Sequence, residues 1–364
     1  MKIILAGGGS GGSVSPLLAV SEALKNLRKD VEFVFIGGRV GPEKLLVESE
    51  NIKFYSIDAG RLRRYFSFYN LLTPFLVLAG FIESRRILKT EKPDLVFGAG
   101  SFVQVPVVIA AWSLSIPVVL HQQDLWPSLA NKLCQFFASK ISVTFRNSLT
   151  DFKTGSGFFY KKPENKVVLT GNPFRARMLA VSKTEGTKFF GLKNDLPVLL
   201  VLGGGTGAEA INKVVIQALP ELTKFIQVLH VAGKGKSVGS ELINYVPLNF
   251  TLNMGEAYAA ADIVISRAGL STITELSNLK KVAVLVPMPK SHQEINALLM
   301  AEMDAAVVVP ESKLIPEFLV RLVRKVLFDY EVQKKLSLNM EKVMPRDAAE
   351  KIAKIILELL NGNK

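Results

Sequence analysis

The chain has 364 residues, of which 49% are hydrophobic, and 45 Lys+Arg against 32 Asp+Glu give a formal charge of +13. That length fits two domains rather than one core, the apolar content excludes a disordered chain, and a lone cysteine, Cys134, excludes a disulfide scaffold. Nucleic-acid binders are basic but seldom this apolar, so the balance points away from nucleic acid and toward membrane surfaces and phosphorylated ligands.

The first residues, Met1–Ala6, carry one charge and four apolar side chains before glycines begin. A signal peptide needs an apolar stretch of roughly 7–15 residues, so this segment reads as a first strand. Strands are then expected at Lys2–Ala6, Glu32–Ile36, Lys53–Ile57, Leu95–Phe97, Pro117–Leu120 and Lys140–Val143. A second series is expected at Val198–Leu202, Gln227–Val231, Asn249–Leu252, Ile263–Ser266, Ala283–Val286 and Ala306–Val309. Helical periodicity fills the gaps, as at Leu17–Leu27, Asn131–Ala138, Ala208–Leu219, Ser271–Leu279 and Ile295–Met303, which is the alternation of parallel α/β units. The uncharged run Tyr65–Ile82 has 18 residues, but Asn70, Thr73 and Pro74 argue against a spanning helix, and a soluble protein is expected.

One internal echo organises the chain. Lys2-Ile-Ile-Leu-Ala-Gly-Gly-Gly-Ser-Gly-Gly recurs in kind as Val198-Leu-Leu-Val-Leu-Gly-Gly-Gly-Thr-Gly-Ala. Each is a buried strand entering a glycine-rich turn and then a helix, so two Rossmann-like domains are expected, 1–160 and 161–344, with the boundary in the Gly-, Lys- and Pro-rich stretch Gly155–Asn165. The last helix, about Asp347–Leu360 within 345–364, has a pattern compatible with packing on either domain, including back on the first.

Glycine turns let the backbone approach a phosphate, and the following helix directs unpaired N–H groups at it. Gly7–Gly12 and Gly203–Gly207 both qualify, although a tight strand-to-helix turn wants glycine for steric reasons alone. A dinucleotide site should end its second strand on an acid that holds ribose hydroxyls. Here that strand ends Ile36-Gly-Gly-Arg39, with none. Ser266-Arg-Ala-Gly-Leu-Ser-Thr-Ile-Thr-Glu275 is more informative: Leu270, Ser271 and Thr272 open a helix after a strand, with Glu275 one turn further in, suited to a diphosphate and a ribose. The alternative is an N-capped helix with a solvated Glu. His121-Gln-Gln-Asp124 and His292-Gln-Glu-Ile-Asn296 follow strands at the edge where α/β sheets place ligands. No His, Cys or carboxylate cluster has ligand spacing, so neither a metal nor another cofactor is expected. Arginines bracket an apolar stretch from Arg61 to Arg86, which suits an anionic bilayer surface, or else a buried crossover helix with solvated ends.

Taken in order, these segments resemble the MurG family, N-acetylglucosaminyltransferases of peptidoglycan synthesis that convert lipid I to lipid II. The matching pieces include Gly8-Gly-Ser-Gly-Gly-Ser-Val-Ser-Pro16, Gly98-Ala-Gly-Ser-Phe102, Ala111–His121, Asn131-Lys, Gly171-Asn-Pro-Phe-Arg175, Gly203–Asn212, Ala260-Ala-Asp262, Arg267–Glu275 and His292–Ala297. The resemblance implies a GT-B fold, two Rossmann-like domains facing across a cleft, with UDP-N-acetylglucosamine on the carboxyl-terminal domain. An undecaprenyl-diphosphate-linked acceptor would dock on the amino-terminal one, at the cytoplasmic face of the cell membrane, with 61–86 on the anionic surface. Arg175, Gly205 and Thr206 are implied near the nucleotide diphosphate, Leu270, Ser271 and Thr272 on it, Glu275 on the ribose and Thr251 near uracil. Gln293 and Asn296 would read sugar hydroxyls, while Ser10, Gly11, Gly12, Ser13 and Asn131 would serve the acceptor side. The family's usual Gly-Gly-His ends here in Ser13, and His-Glu-Gln-Asn is His121-Gln-Gln-Asp124. The expected inverting, metal-independent transfer therefore takes Asp124 as base, with His121 orienting it or substituting for it. A GT-B transferase acting on another lipid acceptor and a non-catalytic UDP-sugar-binding homologue stand as the alternative readings.

Overall fold

The computed structural model describes residues 1–41, 43–60, 69–152, 166–203, 208–233 and 242–362. From the amino terminus run β1 (Lys2–Ala6), α1 (Gly11–Leu27), β2 (Glu32–Gly38), α2 (Glu43–Glu48), β3 (Lys53–Ile57), α3 (Tyr69–Glu91), β4 (Leu95–Gly98) and α4 (Gln104–Trp112). They continue with β5 (Val118–Gln122), α5 (Leu129–Cys134), β6 (Lys140–Val143) and β7 (Val167–Leu169). A second series follows: α6 (Lys183–Phe189), β8 (Val198–Leu202), α7 (Glu209–Leu222), β9 (Gln227–Val231), β10 (Tyr245–Leu248), α8 (Met254–Ala260), β11 (Ile263–Ser266) and α9 (Leu270–Asn278). It closes with β12 (Val282–Leu285), α10 (Gln293–Glu302), β13 (Val307–Val308), α11 (Pro316–Phe328), α12 (Tyr330–Glu341) and a returning helix, α13 (Ala348–Asn361).

The chain divides into one unit of Met1–Arg175 with Pro345–Lys364 and another of Ala176–Met344. The changeover at Arg175 lies later than the expected 160, because β7 still pairs with β6 in the first sheet. In the first unit the strand order is β3-β2-β1-β4-β5-β6-β7, and in the second β10-β9-β8-β11-β12-β13. Every pairing is parallel. Such sheets are covered on both faces, which is why β8 reads Val-Leu-Leu-Val-Leu without alternation and is buried at every position. The order reverses between β1 and β4, and again between β8 and β11. These are the switch points where open α/β sheets take ligands.

Two elements differ from expectation. β10 precedes the expected Asn249–Leu252; Pro247 disguises it, and an edge position is where a strand tolerates proline. β7 has three residues and carries too little pattern to be read from sequence.

α13 belongs to the first unit. Ala349, Ile352, Ala353 and Ile356 fall on one helical face and enter the same core as Leu17, Val20 and Leu24 of α1. Gly171, at φ +86, allows the returning chain to pass: a Cβ there would collide with the Pro345 ring. Since Ile352 is wholly buried, Ile352→Ala should lower stability by about 2–5 kcal/mol. Denaturant unfolding of the full chain measures it, and a cost near zero would mean that α13 is not part of that core.

Candidate functional site

Each unit builds a separate half-site at its switch point. In the first unit, the turn after β1 passes through Gly8 and Gly9, at φ +152 and +82, before Ser10 turns extended and α1 begins at Gly11. The Ser10 side chain does not cap the helix, and no acid lies in the helix's own first turn. Ser13 points back into its own turn, donating to the carbonyls of Gly8 at 2.9 Å and Ser10 at 3.1 Å. It therefore shapes the turn. Ser101, following β4, donates to the Gly8 carbonyl at 2.8 Å, and Gln123, following β5, donates to the Ala99 carbonyl at 3.3 Å. Three loops at neighbouring strand ends are thus tied into one edge.

Asp124 lies on that edge, two residues beyond β5 and half-buried. Gln122 fixes its loop, donating to the carbonyls of Asp124 at 2.8 Å and Trp126 at 2.9 Å. The same Gln122 accepts from the Asn131 amide at 2.6 Å. Asn131 is itself buried, donates to the His121 carbonyl at 3.1 Å and accepts from Gln104 at 2.6 Å. It is thus a strut beneath the edge.

The structure also corrects the expectation for His121. Its ring is wholly buried, with Nδ1 2.9 Å from Ser142 Oγ and Nε2 2.9 Å from Asn172 Oδ1. Both nitrogens are engaged inside the unit, so His121 neither orients Asp124 nor substitutes for it. The Arg175 guanidinium lies 2.5 Å from Glu50 and 3.8 Å from Glu22, within the first unit. Two carboxylates thus offset its charge.

In the second unit, β11 ends at the buried Ser266 and Gly269 precedes α9 in an extended conformation, without a side-chain cap. A Cβ at Gly269 would meet nothing among the described residues within 4 Å. Arg267 braces the turn from behind, donating to the Val286 and Pro287 carbonyls at 3.2 Å each and pairing with Glu311 at 2.5 Å. Leu270 is buried, while Ser271 and Thr272 are half-exposed on the first turn. Asn296 is buried and donates to the Ala268 carbonyl at 3.1 Å, so it holds the turn in place. Gln293, half-exposed, accepts from Met288 N at 3.1 Å. Thr251 caps the turn before α8, accepting from Asn253 N at 3.0 Å. Gly205 and Thr206 lie outside the described residues.

Glu275 is the unusual group of this half-site. Burial raises its carboxyl to about 7, and the Tyr258 hydroxyl, donating at 2.7 Å, pulls in the opposite direction. Tyr258 is wholly buried in α8, and sequence reasoning missed it because a tyrosine on an apolar helical face reads as core.

The other buried histidine, His230, packs between Asn212 Oδ1 at 3.0 Å and the Tyr245 hydroxyl at 3.1 Å. Burial lowers both His121 and His230 from 6.5 to about 4. An unfolded chain then binds protons that the native one refuses, so this stability is complete above pH 6.5 and is lost as pH falls toward 4. His121→Gln should therefore lose less stability than the parent between pH 7 and pH 5. Urea midpoints at the two values measure this, and parallel losses would contradict the buried neutral ring.

The chain matches the glycosyltransferase family 28 N-terminal domain over residues 3–143 and the family's C-terminal domain over residues 198–354. A relative from Lachnospira eligens, named as a UDP-N-acetylglucosamine–N-acetylmuramyl-(pentapeptide) pyrophosphoryl-undecaprenol N-acetylglucosamine transferase, is 39% identical over 362 residues, with 98% of each chain covered. A protein of the same name from Clostridium perfringens is 39% identical over 349 residues, covering 94% of this chain and 93% of its own. The crystal structure of Acinetobacter baumannii MurG superposes with a TM-score of 0.67 at 25% identity, covering 98% and 99% of the two chains. A UDP-GlcNAc 2-epimerase from Neisseria meningitidis reaches the same TM-score, 0.67, at 14% identity, covering 98% of this chain and all of its own, and so shares the fold alone. Two doubly wound units, both family 28 domains and relatives matched end to end place the chain in glycosyltransferase family 28, among the MurG enzymes.

Proposed function

We propose that this chain transfers N-acetylglucosamine from UDP-N-acetylglucosamine to the 4-hydroxyl of N-acetylmuramic acid on a polyprenyl-diphosphate-linked acceptor. The observation that carries the reading is the uncapped amino end of α9 at the second switch point, with Glu275 one turn behind it. Unpaired N–H groups of a helix end suit a diphosphate. A carboxylate within the same helix suits the hydroxyls of a ribose.

In the proposed chemistry, Asp124 takes the proton of the acceptor hydroxyl as the oxygen attacks the anomeric carbon. The bond from that carbon to the diphosphate oxygen breaks with inversion, and UDP departs with the electron pair. Arg175 is already paired with Glu22 and Glu50, so the developing charge falls to the amino end of α9, the preorganised donors of oxyanion-type stabilisation. General-base assistance contributes about 10²–10⁴-fold, so Asp124→Asn should lower kcat by that order at saturating acceptor. Full turnover in that variant would remove Asp124 from the mechanism. Assaying the parent with lipid-linked N-acetylmuramyl-peptide beside diacylglycerol separates the proposed acceptor from other lipids, and transfer to neither would favour a binding homologue.

Donor binding should depend on pH through Glu275. Its carboxyl loses a proton near 7, and ribose hydroxyls donate to the ionised form. UDP affinity should therefore fall about ten-fold from pH 8 to pH 6, and Glu275→Gln should flatten the profile. Calorimetric titration reads this directly; a pH-independent parent would contradict the assignment.

Membrane attachment is proposed from α3. No helix among the described residues is long and apolar enough to cross a membrane. Yet α3 buries Thr73 and Ser84 while Leu72, Phe75, Leu78 and Ile82 remain exposed, Phe75 at 70%. Trp112 is exposed at the end of α4, where Arg85 donates to the neighbouring Ser113 at 3.3 Å. An apolar face beside cations suits the interface of an anionic bilayer. Arg61–Arg64, also expected to take part, lie outside the described residues. Phe75→Ser with Leu78→Ser should weaken co-sedimentation with phosphatidylglycerol vesicles by at least about ten-fold. Unchanged binding would place the contact elsewhere.

A further inference from the structure

The carboxylate that the dinucleotide pattern lacks at the end of β2 enters the first half-site from another direction. Glu43, the first residue of α2, is wholly buried and turns its Oε1 back toward two backbone amides, Gly9 N at 3.1 Å and Gly38 N at 3.1 Å. The surrounding chain is cut to fit it. A Cβ at Gly8 or Gly41 would collide with the carboxylate, and one at Gly37 or Gly38 would come within 3.2 Å of the side chain. Its Oε2 is buried and has no hydrogen-bond partner among the described residues. A buried carboxylate with one oxygen unsatisfied is costly in isolation, so stability alone does not account for its choice at this position.

We propose that Glu43 is a positioning residue for the acceptor. This rests on the transferase reading above and on the assignment of the first glycine turn to the acceptor diphosphate. The Glu43 Oε1 acts as a built-in acceptor under the turn. It takes the Gly9 amide that a phosphate would otherwise use. At the same time it ties the turn after β1 to the end of β2. A diphosphate is then directed to the amino end of α1 rather than deeper along the turn. With its inner amide occupied by the protein's own carboxylate, the amino-terminal unit is unsuited to a nucleotide diphosphate.

The test compares Glu43→Asp and Glu43→Gln with the parent, using lipid-linked N-acetylmuramyl-peptide and UDP-N-acetylglucosamine as the varied substrates. Aspartate keeps the charge but is one methylene short of both amides, whereas glutamine keeps an oxygen that accepts from both. Glu43→Asp should raise the acceptor KM about ten-fold with the donor KM within about two-fold, and Glu43→Gln should recover most of that loss. A general loss of structure would move both KM values together, and that result, or no change in either, would overturn the proposal. Amide exchange at Gly9 and Gly38 supplies a readout independent of turnover. Faster exchange in Glu43→Asp than in the parent is expected, and equal exchange would overturn the pinning even in a parent with no transfer activity. Absence of transfer by the parent, with exchange behaving as expected, would instead count against the transferase reading alone.

Discussion

Parallel strand pairing is the constraint from which the rest of the molecule follows. Because the strands within each sheet run parallel, they all leave at one edge of that sheet, and the helices that follow them begin there. That edge therefore collects helix amino ends whose first N–H groups have no partner within the helix. Where the strand order reverses, adjacent loops diverge and leave room in front of those groups. Both glycine turns of the sequence fall at such reversals, one after β1 and one after β8, and the α9 end flanks the second. Chemistry that binds diphosphates is thus a consequence of topology before any particular side chain is considered.

Side chains then make the two edges different. In the first unit, Glu43 occupies an amide of the glycine turn, while Ser13 and Ser101 both donate to the Gly8 carbonyl, so much of the turn's hydrogen-bonding capacity is internal. In the second, a Cβ at Gly269 would meet nothing among the described residues, and the half-buried Arg267 and the buried Asn296 and Tyr258 brace the turn and Glu275 from behind. That asymmetry is the physical basis for assigning the nucleotide to the second unit.

The sequence carried the fold further than it carried the site. Strand–glycine–helix punctuation located β1, β8 and β11, and apolar runs located most other strands, because burial on both faces leaves a local mark. Partners distant in sequence leave none. His121 at a strand end reads the same whether it faces ligand or Asn172, 51 positions away. Arg175 in a Gly-Asn-Pro-Phe-Arg segment gives no sign that Glu50 is its neighbour. Glu43 was invisible for the same reason: the acid was sought at the end of β2, whereas the chain supplies it from the next helix, 34 positions from Gly9. The basic, apolar composition was similarly ambiguous until α3 proved to bury hydroxyls and expose leucine and phenylalanine.

The central claim is that nucleotide binding belongs to the edge with the uncapped α9 end and not to the edge whose turn already holds a carboxylate. Hydrogen exchange of the full chain with and without UDP tests it most directly. Slowed exchange confined to the β11–α9 turn and the first turn of α9, with Gly8–Ser13 unchanged, is the predicted result. Protection at Gly8–Ser13, with the α9 turn unaffected, would contradict it.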